Sequence, residues 1–218
     1  MNQPSAPRGR PFEKNRIIGA SAIIAAATVA WCLREGSSLE DWLRLARATA
    51  RIAFPFFVLS FAASGLYTWR RHPLTAWCLR NRRELGLAFA LMMFVHLGVL
   101  AGIAIQFPDH YALATPLTLL PGGLFYFVLG VLVFTSFAAW KIRLSRPLWK
   151  RIHVFGTHVM WFGFTAAASL KSFEEPAYGL AVAFLIGLIV LRWWGRGARD
   201  KMFAARRAAA SNSGGIKS

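Results

Sequence analysis

Residues 82–100 read RRELGLAFALMMFVHLGVL, and the apolar run continues to Gln106. Two arginines and a glutamate give way at Leu85 to a stretch with no formal charge. A helix crossing the hydrocarbon core of a bilayer needs about 20 mostly apolar residues. The segment therefore predicts a transmembrane helix over 85–106, with Arg82 and Arg83 at one edge and His96 in its interior.

Working outward, five further stretches approach that length: 17–33, 52–69, 119–140, 152–170 and 176–195. The first and last are short or interrupted by Trp31, Arg192, Trp193 and Trp194, residue types that suit the headgroup zone. A hydrophobic content of 56% and a mean hydropathy of +0.43 exceed what a soluble domain of this size tolerates. The expected fold is an all-α polytopic membrane protein. Six transmembrane helices over 17–195 stand between a mobile basic N-terminus, 1–16, and a mobile basic tail, 196–218.

The formal charge of +17 falls in short clusters between uncharged runs, a pattern of bilayer orientation that excludes nucleic acid as the partner. Of the 26 Lys and Arg, 21 lie before span one, between spans two and three, between spans four and five, or after span six. Cationic loops are retained in the cytoplasm, so both termini are expected there. The N-terminal apolar run is read as an anchor and not a cleaved signal, because Trp31 stands where a small residue is needed. Cys32 and Cys78 then lie toward opposite faces and cannot pair.

Residues 34–51 contain LEDWLRLARATAR, with Leu39, Trp42, Leu43 and Ala46 on one helical face. This reads as an interfacial helix, or as a surface helix with no partner. Pro108, Asp109 and the stretch TPLTLLPGG separate spans three and four. The chain has no Walker loop and no dinucleotide fingerprint, so a nicotinamide or Rossmann-held flavin is not encoded.

Intramembrane histidines are functional candidates because a polar group in hydrocarbon is costly. Three qualify: His96, His153 and His158. His72 and His110 fall in loops, where water satisfies an imidazole. A single intramembrane histidine is also explained by a hydrogen bond to a neighbouring carbonyl. Three on two spans point instead to axial ligation of haem iron, which uses neutral imidazoles across an apolar gap.

The order of motifs resembles the ferric-reductase-like transmembrane family. The segments that carry the likeness are RRELGLAFALMMFVHLGVL and LVFTSFAAWKIRLSRPLWKRIHVFG, the latter joining spans four and five, within a six-helix frame covering roughly 45–195. The nearest branch is that of the haem-binding membrane subunits of bacterial periplasmic methionine sulfoxide reductase systems. The resemblance implies b-type haem between helices three and five, one haem rather than two, and electron transfer across the bacterial inner membrane. It implies His96 as the helix-three ligand and His153 as the first helix-five ligand. The family's second helix-five histidine falls thirteen positions further on, where this chain has Ala166.

That departure has a geometric consequence. At 1.5 Å per residue, His96 stands about 20 Å above Arg83, His153 about 3 Å above Arg151, Ala166 about 22 Å and His158 about 10 Å above the same edge. His158 also lies about 140° around the helix from His153. Three outcomes remain open: tilt pairs His96 with His158, haem hangs from one histidine, or the haem is lost. Met160, on nearly the same face as His153, is a further thioether candidate or simple packing. Arg83 and Arg151, with Arg82 and Lys150, stand where propionates reach the inner interface, although positive-inside anchoring explains them equally. Gly86, Gly98, Gly102, Gly123, Gly130, Gly156 and Gly163 allow close helix packing or thin walls beside a macrocycle.

The leading functional expectation is a b-type cytochrome-like subunit. It takes electrons from a cytoplasmic flavoprotein or from quinol and passes them to a periplasmic reductase or other acceptor, so quinone or flavin enters only with a partner. The alternative is a haem-poor or haem-free structural subunit of a larger membrane complex that retains the six-helix scaffold. A proton-coupled carrier using histidine relays is the third, weakened by the lack of acidic residues within any span.

Overall fold

The computed structural model describes residues 11–34, 36–111, 116–137 and 143–214. Among these the chain is all-helical. It comprises α1 (Pro11–Cys32), α2 (Leu39–Trp69), α3 (Pro73–Arg80), α4 (Arg82–Gln106), a 3-10 turn (Pro108–Tyr111), α5 (Pro116–Phe134), α6 (Arg146–Ser172) and α7 (Ala177–Gly214).

Three helices are long and apolar enough to cross a membrane: Leu39–Trp69, Arg82–Gln106 and the Ala177–Ala198 part of α7. They contain the expected spans 52–69, 85–106 and nearly all of 176–195. Two shorter apolar helical stretches, Arg16–Cys32 and Leu119–Phe134, lie within expected spans one and four. Expected span five lies inside α6, whose mixture of imidazoles, hydroxyls and basic residues leaves it outside both groups. The exterior is apolar: Ile105 is 81% exposed, Leu180 77% and Phe127 70%. Water penalises such a surface, and acyl chains do not.

α2 is the hub of the bundle, packing on α1, α3, α4 and α7, while α6 packs between α5 and α7. The separate interfacial helix expected over 34–51 is instead the first part of α2. Ser38 caps it, its hydroxyl accepting from the Asp41 N–H while the Asp41 carboxylate accepts from the Ser38 N–H at 3.2 Å. This reciprocal pair satisfies two of the donors that a helix start leaves open. The helix then runs unbroken through Pro55 to Trp69. α7 continues as helix to Gly214, through most of the segment expected as a basic tail over 196–218.

With the short α3 set aside, successive helices alternate direction. At the cationic end, the Arg83 Nε–H of α4 donates to the Ser136 carbonyl just beyond α5. There, too, Ile17 of α1 packs with Cys78 and Leu85. At the opposite end, Cys32 packs with Leu45, Val99 and Ile103. The two cysteines therefore occupy separate clusters, both as buried free thiols. Burial holds the Cys78 thiol above the usual thiol range.

Glycine decides two close approaches. A Cβ on Gly65 would lie 2.9 Å from the Leu191 carbonyl oxygen, and one on Gly195 would lie 2.9 Å from the Gly65 Cα. α2 and α7 therefore cross backbone to backbone, as small residues permit between membrane helices.

Candidate functional site

The crossing of α2 and α7 brings together one wall of a cavity at the cationic end of the bundle. It has a volume of about 770 Å³ and is open on one side. Phe57, Phe61, Phe89, Leu129 and Met160 form its apolar part; Arg80, Arg82, Arg83, Lys150, Arg192 and Arg196 line it with positive charge. Among the described residues that line it, none is Asp or Glu.

α6 positions His153. Ser145 caps the helix, its hydroxyl accepting from the Leu148 N–H, and Trp149 occupies the turn before the histidine. The Trp149 ring lies over the His153 ring with centroids 4.2 Å apart, and its Nε1–H donates to the Thr135 carbonyl at 3.0 Å. The His153 Nε2 lies 3.1 Å from the Thr135 hydroxyl, which itself lies 2.7 Å from the Val131 carbonyl. A hydroxyl has one proton to give. With that proton on Val131, the imidazole Nε2–H is the donor to Thr135. His153 and Met160 share the cavity wall, two turns apart on one helix, and so cannot face each other across a ligand.

Arg192 is 2% exposed in spite of its charge. Its guanidinium donates to the Phe61 carbonyl at 2.6 Å and to the Thr157 hydroxyl at 3.3 Å, and lies 4.3 Å from the Phe61 ring centroid. These contacts tie α7 to α2 and α6 and orient the fork along the cavity wall. Arg82 is fixed comparably by its Nε–H bond to the Ser60 carbonyl at 2.8 Å.

The structure does not bring the three sequence-nominated histidines together. His96 has its Nδ1 3.0 Å from the Thr49 hydroxyl, between α4 and α2 and outside the cavity lining. His158 directs its Nδ1 to the Val154 carbonyl of its own helix, and its ring meets Phe61 edge-on at 6.1 Å. It too lies outside the lining. The pairing of His96 with His158, one of the three outcomes open from sequence, is not among the contacts these rings make. Of the two nominated arginines, Arg83 lines the cavity and Arg151 is exposed. Among the described residues, no three His, Cys, Asp or Glu cluster as a metal-ion site.

Beyond the cavity, aromatic rings occupy the interior. Phe164 meets Phe57 at 5.1 Å, Phe54 at 5.6 Å, Phe89 at 5.8 Å and Phe125 at 6.1 Å. Ala166 follows two residues later on α6. The level at which a second helix-five ligand is expected is thus packed with phenyl groups.

Sequence reasoning missed Thr135, Arg192 and Arg196. Arg192 was assigned to the headgroup zone because two tryptophans follow it. The available signal was the spacing of four between Arg192 and Arg196, which puts both on one helix face, within an apolar run where a charge marks a site by default. Glu84 escaped notice as well. It is buried at the first turn of α4, 3.5 Å from the Arg83 guanidinium.

A histidine-ligated haem uses an axial imidazole nitrogen, thin apolar walls and cations near its two propionates. The cavity has His153, an apolar part and six cations. Gly86 contributes a thin wall, since a Cβ there would meet nothing within 4 Å. The volume lies within the roughly 300–1,000 Å³ of ligand sites. The residues present fit a haem with one axial imidazole. No described protein family, no curated protein and no solved structure matches the chain.

Proposed function

We propose that the chain is a six-span subunit of a bacterial inner membrane that carries one b-type haem in the cationic cavity and relays electrons. The supporting observation is the cavity itself: His153 on the wall, open space beside Gly86, and six basic side chains with no acidic residue among the described lining residues. In this reading α1, α5 and α6 cross the bilayer with the three longer helices. Both termini and the cavity mouth face the cytoplasm, where a flavoprotein or quinol donates, and a periplasmic reductase or other acceptor receives the electrons.

Bound haem supplies one-electron transfer, and the surrounding protein sets its potential through axial ligand, burial and charge. His153 would offer its Nε2 once the imidazole leaves Thr135. Arg83 would pair with a propionate, and the Phe57, Phe61 and Phe89 rings would exclude water. His96 and His158 remain structural, each satisfied by a neighbouring hydroxyl or carbonyl.

A second reading is supported by those same hydrogen bonds. All three imidazoles have protein partners, as a haem-free scaffold subunit would require. The reduced-minus-oxidised absorption spectrum of the purified protein separates the two. A Soret band that shifts on dithionite reduction, persists in His96→Ala and disappears in His153→Ala supports the cytochrome; a colourless wild-type protein after haem supplementation leaves the scaffold.

A further inference from the structure

Six basic side chains and, among the described lining residues, no acidic one surround a cavity whose other walls combine phenyl, leucine, valine and methionine side chains with Trp149, His153 and the hydroxyls of Ser60, Ser64, Ser136 and Thr157. A neutral quinone ring explains the apolar part and leaves the charge without a role. A small inorganic anion explains the charge and leaves most of the volume unfilled. The two features together describe one ligand chemistry: an amphiphile with an acidic head and a broad apolar body.

Arg192 and Arg196 differ from the other cations. Arg80, Arg82 and Arg83 fall where positive-inside anchoring alone requires basic residues. Arg192 is instead buried at 2% exposure, inside the window of α7 that is apolar enough to cross a membrane. Keeping a charge at that depth is costly and marks a functional position. Its fork is already oriented by Phe61 and Thr157, so little freedom is lost on meeting a carboxylate or phosphate. Arg196 lies one turn toward the cationic end, on the same face and in the same lining.

We propose that Arg192 and Arg196 bind the acidic head of an amphiphile occupying this cavity. The head is a carboxylate or a phosphate, chemistry shared by a porphyrin's propionates and an anionic phospholipid. The inference deepens the cavity reading but does not depend on iron ligation by His153.

Detergent-solubilised full-length protein is titrated with iron-free protoporphyrin against its dimethyl ester, and with phosphatidylglycerol against diacylglycerol, which lacks the phosphate. Quenching of the cavity tryptophan, Trp149, is taken as the signal lost in Trp149→Phe. One acid of these pairs binds about tenfold more tightly than its neutral counterpart, the scale of one charge-assisted contact. Preference for the porphyrin acid identifies a cofactor site, and preference for phosphatidylglycerol a lipid site. Arg196→Gln, half-buried and so tolerant of change, removes most of the preference without shifting the thermal midpoint; Arg192→Gln removes it and lowers the midpoint. Equal binding of acid and neutral forms, or full preference in a folded Arg196→Gln protein, overturns the proposal. His153→Ala retains the iron-free preference, so loss of a haem spectrum in that variant bears on the cytochrome reading alone.

Discussion

The imidazole of His153 and the hydroxyl of Thr135 hold each other at 3.1 Å across the junction of α6 and the end of α5. The same nitrogen cannot donate to Thr135 and bind iron, so the hydroxyl competes with haem iron for Nε2. The contact also closes the cavity wall, because Trp149 bonds to the Thr135 carbonyl while stacking on the ring.

Replacing Thr135 with Val keeps the shape and removes the acceptor. The ligand-free protein is expected to lose about 1 kcal/mol, the usual worth of one such bond. Haem retention through gel filtration is expected to rise. Measured haem per chain that falls in step with the thermal midpoint would contradict competition at this nitrogen.

Gly86→Phe projects a ring into the cavity from a position whose Cβ meets nothing within 4 Å. The substitution is expected to leave the thermal midpoint within a few degrees of wild type and to abolish porphyrin binding. Gly65→Val makes the contrast. Its Cβ would lie 2.9 Å from the Leu191 carbonyl oxygen, and forcing the helices apart costs about 1–3 kcal/mol. Paired melting curves in one detergent distinguish the two glycines.

Phe57 is 2% exposed and touches the rings of Phe61, Phe89 and Phe164. Phe57→Ala is expected to destabilise the bundle by about 3–5 kcal/mol. Denaturant unfolding in mixed micelles reads the loss, and a change below 1 kcal/mol would show that the aromatic cluster is loosely packed.

At the opposite end of the bundle, the Ser38 hydroxyl beside Asp41 holds that carboxyl below the ordinary carboxylate range. A depressed folded value means the cap's contribution is complete above the unfolded value of about 3.9 and disappears as pH falls through the lower, folded value. Amide exchange at the start of α2 is expected to accelerate in that acid window. In Asp41→Asn the acid-induced acceleration is absent, and an unchanged acid profile in that variant would assign the effect elsewhere.

Much of the scaffold was legible from one dimension. Residues 85–106 announce their helix because a long uncharged run has few other folds open to it. Pro55 did not break α2, since its neighbours supply packing that outweighs one missing backbone bond. The length of α2 was hidden for the same reason. Its first turns look interfacial in sequence, yet Leu45 and Ala46 are buried against Val99 and Ile103.

The sequence by itself determined the apolar helices and the clustering of positive charge, because hydrophobic run length and charge position are local properties that any membrane must obey. Tertiary structure decided which side chains share a cavity. His153, Arg192 and Gly86 come from three different helices, and only the close crossing at Gly65 and Gly195, with phenyl rings filling the neighbouring level, leaves a space between them. Helical spacing states the direction of a side chain around its own axis, whereas the partner it meets depends on how far apart the axes stand.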